Sequence, residues 1–178
     1  NSTAPHGAGL ALFGLRTNGV VGRYEERDRM WSALKTTIST QRAQLLLLEG
    51  AAGSGKSTLA NWLCTRADEV GGARWLMATH NAERGNEDGI GPMLDRFLRT
   101  RGKDRATAVS DVNKFLKYRG TPSHEDAVGL VHLSRPNEEA VEGSGFEAHF
   151  SSPAEKHALI ARFFQTLATH RPLILWLD

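Results

Sequence analysis

The chain has 178 residues, of which 40% are hydrophobic, and this is enough for one sizeable core. Its 22 basic and 20 acidic side chains give a net charge of +2, so there is no electrostatic reason to expect nucleic acid as the main partner. Cys64 is the only cysteine, which excludes an intramolecular disulfide and favours a reducing, cytoplasmic compartment, and no apolar run approaches the roughly 18 residues that a membrane span needs.

The first third of the chain predicts a linker, a helix and a strand. Residues 1–19 are rich in small, polar and turn-forming residues and predict an irregular linker. Met30 and Leu34 belong to an apolar stripe that predicts a helix over 24–40. Four consecutive leucines within 44–49 predict a strand that is buried on both faces of a parallel sheet.

A phosphate-binding sequence, the P-loop or Walker A motif, follows this strand. Residues 50–57 match the pattern G-x-x-x-x-G-K-S. Glycines allow a tight turn whose N–H groups bind an anion at the start of a helix. Lys56 supplies a mobile positive charge for the β- and γ-phosphates, and Ser57 supplies a hydroxyl for Mg²⁺. The predicted phosphate-binding residues are therefore Gly50, Ala51, Ala52, Gly53, Ser54, Gly55, Lys56 and Ser57.

The next elements predict an α/β fold. Apolar residues at helical spacing predict a helix over 57–69, and a buried strand follows at 73–79. Together with the strand at 44–49 they predict a βαβ unit with a right-handed crossover. The P-loop lies at the carboxyl end of its first strand.

A long helical region separates this unit from the last strand. Apolar spacing predicts helices over 90–98 and 104–118, and the partial capping signal at Ser123 predicts a shorter one that ends before Pro136. Residues 137–150 predict an acidic surface loop. The segment 80–150 is longer than a minimal crossover, so we expect a helical insertion into the sheet domain.

A second candidate site residue closes the chain. Ser152 begins a capping box that predicts a helix ending near His170, and the apolar strand 173–177 is followed by Asp178. A carboxylate at the end of a strand beside a P-loop is the Walker B pattern, which completes the Mg²⁺ shell, usually through water. We therefore assign catalytic roles to Lys56 and Asp178. Ser57 and Asp178 are the predicted metal ligands, and the predicted cofactors are ATP and Mg²⁺.

Three segments together carry a family resemblance: V-V-G-R-Y-E-E-R at 20–27, the P-loop with its preceding leucines at 45–58, and R-P-L-I-L-W-L-D at 171–178. With them the chain resembles the AAA-like ATPases of the STAND and Orc1-like group, which are predicted ATPase modules of large bacterial regulators. The resemblance implies that residues 20–178 are the amino-terminal part of such a domain, with a further central strand and the catalytic half beyond Asp178.

The resemblance also assigns further binding residues. It places Val21, Gly22 and Arg23 against the adenine and gives Thr58 contacts near the α-phosphate. It implies neighbouring kinase or helical-repeat domains in the same protein. Because the acidic residue after the Walker B aspartate, the sensors and an arginine finger do not occur in residues 1–178, we expect weak nucleotide binding without turnover.

Three functions stay open at this point. The motifs favour nucleotide binding by a signalling or transcriptional switch. A small-molecule kinase shares the P-loop, and a DNA-associated initiator or loader ATPase shares the Orc1-like motifs. Phosphotransfer to small acceptors would favour the first alternative, and a downstream winged-helix domain would favour the second.

Overall fold

The structure is a computed structural model, and it describes residues 20–81, 85, 88–136, 148 and 150–178. The chain divides into two compact units, Asn1–Arg66 and Ala67–Asp178. The linker predicted for residues 1–19 lies outside the described residues. So do residues 82–84 and 86–87 of the polar segment after the second predicted strand, and all of the predicted acidic loop except residues 148 and 150.

The first unit contains helix α1, Tyr24–Thr40, and the beginning of helix α2, Lys56–Glu69. Both helices begin within one residue of their predicted starts. Met30 and Leu34 are the buried residues of α1. The rings of Trp31 and Trp62 lie 6.4 Å apart between centroids and bring α1 against α2.

The prediction of a strand over 44–49 is wrong. These residues have no strand pairing, and Leu45 and Leu47 are 94% and 76% exposed. A strand forms only where a neighbour supplies a ladder of N–H and C=O partners, whatever the apolar content of the segment. Among the described residues no neighbour does this for 44–49, so the predicted βαβ unit lacks its first strand.

The second unit contains a parallel pair of strands, β1 at Arg74–Ala78 and β2 at Leu173–Leu177. Their register runs from Arg74 opposite Leu173 to Ala78 opposite Leu177. The strands predicted at 73–79 and 173–177 are therefore confirmed, and they are parallel as the predicted fold class requires, but their direct pairing was not predicted. Both strands end at the same edge of this small sheet.

Four helices accompany the two strands, at bounds close to the predicted ones. They are α3 at Ile90–Leu98, α4 at Arg105–Tyr118, α5 at His124–Ser134 and α6 at Pro153–Ala168. Asp104, Ser123 and Ser152 cap three of these helices, because each side chain accepts a hydrogen bond from the backbone N–H three residues further on. The start signals predicted at Ser123 and Ser152 are thus confirmed.

One continuous core holds the second unit together. Leu94, Leu130 and Leu167 are fully buried and come from α3, α5 and α6. Phe97, Phe115 and Phe163 form a ring cluster with centroids 5.8 to 6.3 Å apart. Within the described residues, no helix has the length and apolar character needed to cross a membrane.

Candidate nucleotide-binding site

The loop between residue 50 and α2 has a backbone that its glycines permit. Gly53 and Gly55 have φ angles of 75° and 85°, in the left-handed region where a side chain is disfavoured. The chain then enters α2 at Lys56. Glycine therefore occupies two positions at which the tight turn before α2 needs a left-handed backbone.

Backbone donors are available in this loop. The N–H groups of Gly53 and Gly55 have no hydrogen-bond acceptor among the residues that the structure describes. The first N–H groups of any helix lack partners within the helix, and its dipole is positive at this end. The loop and the first turn of α2 together form a set of donors suited to an anion.

Lys56 lies over the loop that precedes it. Its Nζ atom donates hydrogen bonds to the carbonyl oxygens of Gly50 and Ala51, both at 3.0 Å. The N–H of Ser54 donates to the same Ala51 oxygen at 3.2 Å. The ammonium group is thus held at the turn, in hydrogen bonds that phosphate oxygens could replace.

Arg23 connects the V-G-R segment to the P-loop. Its Nη2 atom donates to the carbonyl oxygen of Ser54 at 2.6 Å, and its Nη1 atom lies 3.3 Å from Oε1 of Glu26. Arg23 itself has a left-handed backbone with φ of 52°. The sequence placed Arg23 near the nucleotide through the family resemblance, but no sequence signal pointed to this contact with Ser54.

The other predicted contact residues of this unit are accessible. Val21 is 94% exposed, and Ala52, Ser57 and Thr58 are exposed as well. Ser57 and Thr58 lie in the first turn of α2, directly after Lys56. Their hydroxyl groups therefore lie at the amino-terminal end of α2, the end of a helix that favours anions.

Asp178 belongs to the second unit, at the carboxyl end of β2, as predicted. Its N–H donates to the oxygen of Ala78 at 3.0 Å, and its own carbonyl oxygen accepts from the N–H of His80 at 2.6 Å. These two bonds continue the ladder between the strands by one residue on each side. They fix the backbone from which the Asp178 carboxylate projects.

The residues of the first unit fit the phosphates of a nucleotide. Two left-handed glycines shape the turn, unpaired amides line it, and an ammonium group bridges its carbonyls. A phosphate chain requires this combination of backbone donors and one mobile cation.

Comparison with known proteins agrees with this geometry. The chain has no significant match among the curated proteins or the solved structures. The family model described as AAA ATPase domain matches residues 19–178, nearly the whole chain. Such domains have the P-loop NTPase fold and bind nucleotide, usually with Mg²⁺, and the helices with a small parallel sheet seen here are compatible with part of that fold. The chain belongs to the AAA ATPase domain family.

Proposed function

We propose that this chain binds ATP with Mg²⁺ through the P-loop, and that its protein uses ATP binding as a signalling or transcriptional switch in the cytoplasm. One observation supports the binding above all others. The loop of Gly50 to Gly55 leads into α2 with Lys56 drawn over the carbonyl oxygens of Gly50 and Ala51. Family membership supports the same ligand.

The main predicted residues each have a defined task in this proposal. The amides of Gly53 and Gly55 bind phosphate oxygens, and Lys56 exchanges its loop carbonyls for the β- and γ-phosphates. Ser57 and Asp178 keep the Mg²⁺ roles that their own motifs predict. The exposed Val21 side chain provides an apolar surface for the base, while Arg23 secures the loop through Ser54.

The switch follows from this binding. A γ-phosphate that engages Lys56 favours one arrangement of the protein, and its loss by slow hydrolysis releases that arrangement. Other domains of the protein would respond to the change between these two arrangements. Binding, rather than rapid turnover, is the function of this segment in the proposal.

The proposal is tested by equilibrium titration of the chain with MgATP. We expect saturable binding that Lys56→Ala weakens by at least about tenfold, since a charge-assisted contact to phosphate is lost. Lys35→Ala is the matched control, because Lys35 is an exposed lysine on α1. Equal affinity of the wild-type chain and the Lys56→Ala variant would refute the proposal.

A further inference from the structure

Three arginines lie where the two strands of the second unit begin. Arg74 is the first residue of β1, and Arg171 precedes β2 by two residues. The N–H of Arg74 donates to the oxygen of Pro172 at 2.7 Å, which joins the two strand starts. Arg119 directly follows the last residue of α4.

Aromatic rings hold two of these guanidinium groups. The Cζ atom of Arg74 lies 5.9 Å from the centroid of the Phe97 ring, and that of Arg119 lies 5.2 Å from the centroid of Phe115. The two rings contact each other edge to face, with centroids 5.8 Å apart. Arg74 and Arg119 therefore occupy neighbouring positions on one aromatic surface, which restricts their movement.

The positive charge of this group is only partly balanced. Arg171 pairs with Asp68, its Nη2 atom lying 2.9 Å from Oδ1 and 3.1 Å from the backbone oxygen of the same residue. Among the described residues, neither Arg74 nor Arg119 forms an ion pair. Burial lowers the pKa of Arg74, and the charges of Arg119 and Arg171 lower it further, while the charge of Asp68 opposes them in part.

Some donors of the group also lack acceptors. The Nε atoms of Arg119 and Arg171 are buried and have no hydrogen-bond partner within the described part of the chain. A buried donor without an acceptor costs free energy, and more so when it belongs to a charged group. An anion with several oxygens would supply the negative charge that this group of arginines lacks.

We propose that Arg74, Arg119 and Arg171 form a binding site for a phosphate monoester, separate from the P-loop. Two of the three guanidinium groups have no ion-pair partner among the described residues, and a phosphate monoester carries a charge of about −1.5 to −2 at pH 7. Its oxygens also match the forked geometry of guanidinium groups. The site lies at the amino ends of the strands, so four residues of β2, or about 13 Å, separate its edge of the sheet from the edge with Asp178.

The experiment is a titration of the uniformly ¹⁵N-labelled chain with inorganic phosphate, followed by the Nε–Hε resonances of its arginines. We expect saturable shifts for Arg74, Arg119 and Arg171. Arg119→Gln should lower the affinity at this site by at least about tenfold. Arg99→Gln, which removes an exposed arginine outside the group, should leave it unchanged. The amide resonances of Gly53 and Gly55 report phosphate at the P-loop separately, so the two proposals can fail independently.

A second arm of the experiment distinguishes the source of the phosphate. A phosphoserine peptide that binds more tightly than inorganic phosphate indicates a phosphorylated protein segment, and equal affinities indicate a free phosphate ester. The unphosphorylated peptide should not bind. If Arg119→Gln does not fold, Arg119→Lys decides, since it keeps the charge but loses the fork. Absence of shifts at the three arginines, or an affinity that neither Arg119 variant lowers, would overturn the proposal.

Discussion

Arg23 joins two motifs that lie 31 residues apart in the sequence, through one hydrogen bond to the backbone of Ser54. We predict that Arg23→Ala weakens MgATP binding about fivefold, because a charged hydrogen bond at an exposed position contributes about 1 kcal/mol to holding the loop. Isothermal titration calorimetry measures the change. Arg29→Ala is the control, since Arg29 is an exposed arginine of α1 whose ion pair among the described residues is with Glu25. Equal losses in both variants would speak against a role for the Ser54 contact.

Cys64 is buried in α2, and burial raises the pKa of its thiol to about 11. Since the thiolate is the reactive form, we predict that the folded chain resists alkylation by iodoacetamide at neutral pH and reacts once it is unfolded in guanidinium chloride. Mass spectrometry measures the modified fraction. Rapid alkylation of the folded chain would show that Cys64 is not buried as described.

The same shift has a consequence for stability. The pKa of this thiol is raised above its ordinary value of 9.0, so its contribution to stability is complete below about pH 9 and is lost as pH rises toward 11. Cys64→Ala lacks this group. Its free energy of unfolding should therefore fall less steeply over this range than that of the wild-type chain, as measured by urea denaturation.

At the scale of elements, α3 and α5 approach each other closely at Gly91. A Cβ atom at this position would lie 2.7 Å from the carbonyl oxygen of Leu133, which belongs to the backbone and cannot move aside readily. We predict that Gly91→Ala destabilises the chain by about 1–3 kcal/mol, although alanine ordinarily favours a helix over glycine. Thermal and urea denaturation measure the change.

Gly129 in α5 provides the comparison. A Cβ atom there would lie 2.6 Å from Cδ2 of Leu159 and 3.3 Å from Cζ of Phe150, both of which belong to side chains and not to the backbone. Gly129→Ala should therefore cost less than Gly91→Ala, because Leu159 can change its rotamer. A variant Gly91→Ala that is as stable as the wild-type chain would contradict the close approach of α3 and α5.

The helices were predicted correctly because their sequence signals lie within a few residues of each other. Apolar spacing placed α1 correctly, and the serines that accept hydrogen bonds from the first turns of α5 and α6 marked where those helices begin. These signals act over a few residues. The segment 44–49 failed because a strand depends on a partner distant in sequence, and its leucines specify apolar character without specifying that partner.

In the candidate site, too, local features were predicted from the sequence and tertiary contacts were not. The glycine spacing correctly predicted the turn before α2, since left-handed φ angles at Gly53 and Gly55 are local properties of the backbone. The bond from Arg23 to Ser54 and the stacking of Arg74 and Arg119 on neighbouring phenylalanine rings were not predicted. Each depends on tertiary packing between segments, for which a single sequence contains no direct signal.

At the scale of the molecule, the two motifs for ATP and Mg²⁺ belong to different compact units. The P-loop and Arg23 lie in Asn1–Arg66, whereas Asp178 and the arginine group lie in Ala67–Asp178. In the proposed function, the groups that contact the phosphates, the amides of Gly53 and Gly55 and the ammonium group of Lys56, all belong to the first unit. Binding of the phosphate chain by this loop can be tested most directly by changing the ligand, without replacing any side chain.

This measurement compares the affinities of the chain for MgATP, MgADP, AMP and adenosine by calorimetric titration. If the loop around Gly53, Gly55 and Lys56 binds the phosphate chain, affinity should fall from MgATP to AMP by at least about tenfold, and adenosine should bind most weakly. Equal affinity for all four ligands, or no binding of MgATP at any concentration, would contradict the account.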